Sequence, residues 1–406
     1  MRGARKSPPI AEASFDMRLR RRKRRQVAAL HIAALHIALC ITHNSSVQID
    51  PALFEENERT KPTTDDRKFM EVGALECESG GQLPSVTIAY ETWGELSAAK
   101  DNAVLVCHAL SGDSHAIGWW ERLVGPGKAI DTNQYFVIGT NSLGGCQGST
   151  GPSSLDGEGK RYGSRFPMIT VGDMVEVQMR LVNALGIDTL HAVAGGSMGG
   201  MQALEWTMRK PGAVRKAFIT ASCAAHSAMQ ISFNEVGRQA VMRDPRWCGG
   251  DYAADAQPAD GLAVARMIGH ISFLSEASFD AKFGRRLQGK KGFDYTFGKE
   301  FQIESYLSYQ GDKFTHRFDA NSFLYLSRAI DYYERQGLEG SKSEYLFLSF
   351  TSDWLYPSHQ SESMDAMAKA AGCASTHEVI DLPYGHDAFL LDGTEQGNLV
   401  REFLRS

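Results

Sequence analysis

A serine set among four glycines places the tightest constraint on this chain. Gly195-Gly196-Ser197-Met198-Gly199-Gly200 follows the apolar run Leu190–Ala194 and precedes a helical pattern over Met201–Arg209. A serine in so sharp a strand-to-helix turn takes a strained backbone conformation, and only small neighbours leave room for it. Its oxygen then stands at a helix N-terminus, whose dipole favours negative charge. The competing use of a glycine-rich turn is a phosphate loop. That needs Gly-Lys-Ser/Thr or G-x-G-x-x-G, and neither occurs at this position. The turn therefore reads as a nucleophile elbow, with Ser197 as nucleophile.

The surrounding pattern alternates. Short apolar or β-rich runs at Ser85–Trp93, Asn102–Cys107, Tyr135–Gly139, Leu190–Gly195, Lys216–Thr220, Tyr345–Phe350 and Thr376–Ile380 read as strands, most of them buried on both faces. Helical patterns cover Gly172–Leu185, Met201–Arg209 and Thr394–Arg405. Such alternation predicts an open, mostly parallel α/β sheet with helices on both faces. The rhythm breaks between about Ser227 and Gly340, where the patterns Ile231–Arg243, Gly261–Phe273, Phe301–Tyr309 and Asn321–Arg335 are all helical. An all-helical insertion there reads as a lid over the C-terminal edge of the sheet, where open α/β sheets bind ligands. The expected division is a core of residues 66–226 and 341–406, a lid of residues 227–340, and a leader of residues 1–65.

Charge separates the leader from the rest. The net charge is −5, but residues 1–25 hold ten Lys/Arg against Glu12 and Asp16, so residues 26–406 carry −13. An acidic body argues against nucleic acid as a partner. The apolar stretch Val27–Ile41 follows the basic run and contains the pentad Ala-Ala-Leu-His-Ile twice in tandem. It is too short and too rich in histidine for a convincing membrane span. It reads as an extension outside the fold, with Met17 and Met70 as later candidate starts, as a targeting peptide, or as a basic tail. The seven cysteines are scattered and form no CxxC pair, which argues against a disulfide framework or a structural zinc site and suits a reducing compartment.

A serine nucleophile needs an imidazole base, and the base needs a carboxylate to orient it. With this elbow the chain order is serine, acid, histidine. His386 lies in the polar loop Pro383–Ala388, just after the last strand, where the base is expected. His226, His270 and His316 fall in or near the helical insertion, His359 opens a helix, and His377 points along a strand. Asp353 directly follows the strand ending at Phe350 and is the expected acid. Asp381 is its rival, but it leaves the same strand that delivers His386. The oxyanion donors are expected to be the amides of Met198 and of Leu110, the latter in the loop His108–Gly112 after an early strand. His108 precedes the serine, and a packing or hydrogen-bonding role under the loop suits it better than that of a base.

His108-Ala109-Leu110-Ser111-Gly112-Asp113-Ser114-His115, Gly118-Trp119-Trp120, Gly125-Pro126-Gly127, Asn141–Pro152, Gly195–Gly200 and Tyr384-Gly385-His386-Asp387 together resemble the homoserine O-acetyltransferase family of the α/β-hydrolase superfamily. The likeness is collinear from about residue 70 to 404. It implies transfer of an acetyl group from acetyl-CoA, as co-substrate, to the hydroxyl of L-homoserine by a ping-pong route. No bound cofactor or metal is implied. It also implies a cytoplasmic step of methionine biosynthesis, a homodimer, and no membrane. An arginine of the lid and the aspartate after the catalytic histidine hold the amino acid in this family. The matching positions are Arg266 and Asp387, with Arg238 a rival for the arginine. One position departs: a frequent lid tyrosine is matched here by Phe273. A succinyl-CoA or serine user of the same family and an esterase with the same triad are the competing functions.

Overall fold

In the computed structural model, the residues described are 66–406; every reading of the leader lies outside them. Eight strands form the central sheet: β1 (Lys68–Glu71), β2 (Thr87–Trp93), β3 (Ala103–Cys107), β4 (Phe136–Thr140), β5 (Leu190–Gly196), β6 (Val214–Thr220), β7 (Glu344–Phe350) and β8 (Ser375–Ile380). Their spatial order is β1-β2-β4-β3-β5-β6-β7-β8. β2 pairs antiparallel with β1 and with β4, and all other neighbours are parallel. All five residues of β3 are buried, as a strand covered by helices on both faces requires. Each fully buried Val, Leu or Ile of such a strand contributes about 1.5–3 kcal/mol of burial energy.

Helices α1 (Val171–Ala184), α2 (Met198–Arg209), α8 (Ser358–Ala370) and α9 (Glu395–Arg405) belong to the crossovers and the C-terminus. Thr170 caps α1 with a reciprocal bond to Asp173, which fixes where that helix starts. Beneath the elbow, Gln178 of α1 donates to Gln202 of α2 (2.7 Å), and Trp206 donates to Gln178 (2.8 Å). This buried, paired polar network ties α1 to α2, and so fixes the helix that begins at Ser197.

Between β6 and β7 come α3 (Ala228–Arg243), α4 (Ala259–Phe273), α5 (Glu276–Lys282), α6 (Gln302–Thr315) and α7 (Ala320–Tyr332). All four expected helical patterns form, and α6 runs on past Tyr309. The α4–α5 junction is fastened to the loop that carries His386. Trp354 donates to the Leu274 carbonyl (3.0 Å), Ser278 donates to the Pro383 carbonyl (2.9 Å), and Ser275 Oγ donates to the same carbonyl. Gly385 has a φ of +74°, and a side chain there would run into the backbone of Leu274 and Ser275. Among the described residues, no helix is long and apolar enough to cross a membrane.

Candidate active site

Ser197 sits between β5 and α2 with φ 55° and ψ −123°, a conformation that costs a non-glycine residue of order 1–3 kcal/mol. The flanking glycines make the turn feasible. A Cβ on Gly195 would overlap the Gly199 carbonyl, and one on Gly199 would overlap the Cys107 carbonyl. The Ser197 carbonyl accepts from Ser222 Oγ (2.7 Å), and its amide donates to Thr220 (3.1 Å), which locks the elbow to the end of β6.

His386 Nδ1 lies 2.8 Å from Asp353 Oδ2, and both residues are 3% exposed. The other oxygen of Asp353 accepts from the amides of Leu355 (3.0 Å) and Tyr356 (2.8 Å). Those bonds aim the carboxylate and fix the imidazole with its proton on Nδ1, so Nε2 faces outward as an acceptor. The His386 ring stacks on Tyr356, with centroids 4.8 Å apart, and meets Phe389 edge-on at 5.4 Å. Asp381 is engaged elsewhere, by Thr351 Oγ1 at 2.6 Å. His377 bonds Ser349 (2.8 Å) between two strands, and His359 is exposed.

One cavity of about 290 Å³ joins these parts. Leu110, Ser197, Arg266, His386 and Asp387 all line it, while Asp353 stands behind His386. The amides of Leu110 and Met198 donate no hydrogen bond within the described residues, so both are free for an oxyanion. His108 is buried beneath that loop, with Nδ1 on the Ala109 carbonyl (2.6 Å) and Nε2 accepting from the Ser142 amide (2.9 Å). Burial holds its pKa below the ordinary value, and as a neutral imidazole it supports the loop, as its place before the serine suggested.

The charged groups of the cavity are unusual. The Arg266 guanidinium lies 4.8 Å from the Phe314 ring and 5.7 Å from the Phe273 ring, and Nη1 donates to Ser111 Oγ (3.4 Å). Its Nε is buried without a hydrogen-bond partner. Burial and the neighbouring Arg317 pull its pKa down to about 10, so it remains charged at neutral pH. Burial pushes Asp387 up to about 6, against the pull of His386 and Arg266. The rival Arg238 is already neutralised: it pairs with Asp331 at 2.7 Å and Glu235 at 2.9 Å and does not line the cavity.

Three further groups of the cavity were not singled out from sequence. Tyr356 carries a hydroxyl 2.7 Å from His226 Nε2. His270 is pushed down to about 2 by burial and by Arg266, Lys282 and Lys313, and its Nε2 is buried without a partner. Arg317 donates to the Ser111 carbonyl (2.6 Å) at the cavity wall. The helical spacing of Arg266, His270 and Phe273, which puts them on one side of α4, was the available signal for His270.

The profile of the α/β-hydrolase fold matches residues 102–393. A homoserine O-acetyltransferase of Solidesulfovibrio magneticus is 50% identical over 352 residues, covering 81% of this chain and 89% of that protein. The crystal structure of homoserine O-acetyltransferase from Bacillus anthracis superposes with a TM-score of 0.79 at 28% identity, over 84% of this chain and 97% of that one. The crystal structure of esterase E22 is as near in shape, with a TM-score of 0.77 at 28% identity, over 83% and 99%. Backbone shape, and an identity of 28% to each, therefore do not separate transferase from esterase, whereas the relative at 50% identity carries the transferase name. The chain belongs to the homoserine O-acetyltransferase family of α/β-hydrolase-fold acyltransferases.

Proposed function

We propose that this chain moves an acetyl group from acetyl-CoA to the hydroxyl of L-homoserine through an acyl-serine, as a step of methionine biosynthesis in the cytoplasm. The observation that carries the reading is the pairing of two kinds of group in one cavity. Beside a serine–imidazole–carboxylate set stand a buried cation, Arg266, and a buried carboxylate, Asp387. Charge buried in a cavity is costly, and a zwitterionic amino acid offers a partner to both members at once. A guanidinium suits its carboxylate, and Asp387 suits its ammonium. An esterase needs neither.

In this mechanism His386 Nε2 takes the proton of Ser197 as its oxygen attacks the thioester carbon. The amides of Leu110 and Met198 hold the oxyanion, at the N-terminus of α2. The carbon–sulfur bond breaks, and His386 returns the proton to the CoA sulfur. The homoserine hydroxyl then gives His386 its proton and attacks the acyl carbon. When the tetrahedral intermediate collapses, Ser197 leaves and recovers the proton. The helices between β6 and β7 act as the lid that holds the acceptor in place of water. The cavity that Ser197 lines also has Leu110, Leu355 and Phe389 in its wall. Such apolar walls suit the methyl of an acetyl group better than a second carboxylate, which favours acetyl over succinyl donors.

The test is thiol release from acetyl-CoA or succinyl-CoA, each crossed with homoserine and serine. Release that depends on homoserine and is fastest with acetyl-CoA is expected. Acceptor-independent hydrolysis with every pair would replace the transferase by an esterase.

A further inference from the structure

We propose that Arg317, from the helical insertion, is a positioning residue for the oxyanion donor Leu110, and that its charge reaches the developing oxyanion through two peptide groups in series. The inference rests on Ser197 being the nucleophile and on the Leu110 amide receiving its oxyanion.

The geometry is a relay of hydrogen bonds through one tight turn. Ala109, Leu110, Ser111 and Gly112 form that turn, and the Gly112 amide closes it by donating to the Ala109 carbonyl (2.8 Å). Arg317 Nη2 donates to the Ser111 carbonyl (2.6 Å). In a planar trans peptide the C=O and the N–H point opposite ways. The peptide joining Ser111 to Gly112 therefore takes Arg317 on its oxygen and gives its N–H to Ala109. The peptide joining Ala109 to Leu110 takes that bond on its oxygen, so the Leu110 N–H points away from the turn. Arg317, two aligned peptides and the Leu110 N–H thus form one series, and Leu110 and Ser197 line the same cavity.

His108 secures the Ala109 carbonyl from beneath. Its Nε2 accepts from the Ser142 amide (2.9 Å), which puts the ring proton on Nδ1, 2.6 Å from the Ala109 oxygen. A Cβ on Gly112 would lie 2.7 Å from the His108 Cβ, so the turn closes over this ring only with glycine there. Hydrogen bonds in series polarise one another. A guanidinium at the head of the series draws electron density from both peptides and makes the last N–H a stronger donor. Asp113 Oδ2 is 4.0 Å from the same Arg317 nitrogen, beyond hydrogen-bond reach, so the Ser111 carbonyl is the partner that nitrogen engages. Arg266 reaches Ser111 only at its hydroxyl (3.4 Å) and stands outside the series. Arg317 follows α6, and its own carbonyl accepts from Gln147 Nε2 (2.5 Å), which anchors it to the core. The insertion that closes over the cavity thereby also sets the oxyanion loop.

The test uses the full-length protein and the acylation burst with p-nitrophenyl acetate, an uncharged ester that needs no acceptor and offers a cation no charge to bind. Arg317→Met keeps an unbranched apolar stem and removes the charge and the donors. Outright loss of an oxyanion donor costs about 10²–10³ in rate. Weakening one from two peptides away should slow the burst about tenfold, with the ester concentration at half-maximal rate unchanged. Arg317→Lys can still donate a charged hydrogen bond to the carbonyl and should recover most of the loss. Leu110→Pro supplies a second arm, because proline suits this position of a turn and removes the N–H in question. Arg317→Met added to Leu110→Pro should slow the burst no further, since Arg317 acts through that N–H. An Arg317→Met burst within twofold of the parent, with losses confined to acetyl-CoA, would overturn the proposal and make Arg317 a ligand-binding cation. Additive losses in the double variant would overturn it as well. If Leu110→Pro does not fold, the Met and Lys variants decide. A Leu110→Pro burst as fast as the parent's removes the donor assignment, and a burst that persists in Ser197→Ala removes the nucleophile; either result overturns the underlying reading, and the proposal with it.

Discussion

Arg266 and Asp387 carry opposite charges into one cavity, and each shifts the other's pKa through space. Burial lowers the pKa of the arginine to about 10 and raises that of the aspartate to about 6, so each charge is held at a cost. Under the proposed function, a ligand with both charges would meet the two.

Replacing Arg266 by Gln should therefore act on the acceptor. We expect its KM to rise roughly 30- to 150-fold, the loss of about 2–3 kcal/mol from a charge-assisted pair. The acylation burst with an uncharged ester should change little. Steady-state kinetics with the two substrates varied separately measure both. An equal loss in the burst would move Arg266 from acceptor binding to general structure.

Asp387 should give acceptor binding a pH dependence. Only its ionised form pairs with an ammonium, so KM for the amino acid should climb as pH falls below about 6. Asp387→Asn should raise KM at neutral pH and flatten that slope. The effect on stability has the opposite sense. With a folded pKa above the ordinary 3.8, the group favours the fold below that value, and the advantage is lost as pH rises through about 6. Removing the carboxyl should therefore make thermal unfolding less sensitive to pH between about 4 and 6. An unchanged profile would show that another group titrates there.

Asp353 fixes the imidazole tautomer through its 2.8 Å contact with Nδ1. Asp353→Asn keeps the shape and presents the wrong partner, and should lower kcat by roughly 10³–10⁴-fold. Asp381→Asn, which alters a side chain bonded to Thr351 instead, should leave kcat within twofold. Comparable losses in the two variants would contradict the assignment of the acid.

The elbow should store strain that can be measured. Ser197→Gly relieves the positive φ and should stabilise the fold by about 1 kcal/mol while abolishing turnover. Gly199→Ala forces a methyl onto the Cys107 carbonyl and should destabilise by several kcal/mol. Urea unfolding of both variants, with opposite shifts in midpoint, is the check.

Much of the core was readable along the chain because parallel strands buried on both faces are continuous apolar runs. β3 through β7 fall where those runs lie, and β8, the half-exposed edge strand, falls on the β-rich run Thr376–Ile380. β1 was not anticipated: Lys68–Glu71 is largely exposed and forms only by pairing with the register of β2, a partner that no local pattern reveals. α5 was missed for a related reason. It is seven residues long and is held by its contacts with the His386 loop rather than by its own periodicity.

The elbow, the order of serine, acid and histidine, and the oxyanion loop were determined by the sequence itself. Each is a local device in which glycine spacing or a strand end dictates where a side chain must go. Only the tertiary structure decided which arginine is neutralised and which side chains meet in the cavity wall. Arg238 and Arg266 both lie on helices of the insertion, yet Asp331, about ninety residues further on, neutralises the first, while the second lines the cavity with its Nε unpartnered. Tyr356 and His226 are 130 residues apart and bond each other in the wall of the cavity that Ser197 lines. Such pairings depend on how helices pack over the sheet. Burial then sets the value of each charge, and that is a property of the assembled cavity rather than of any segment within it.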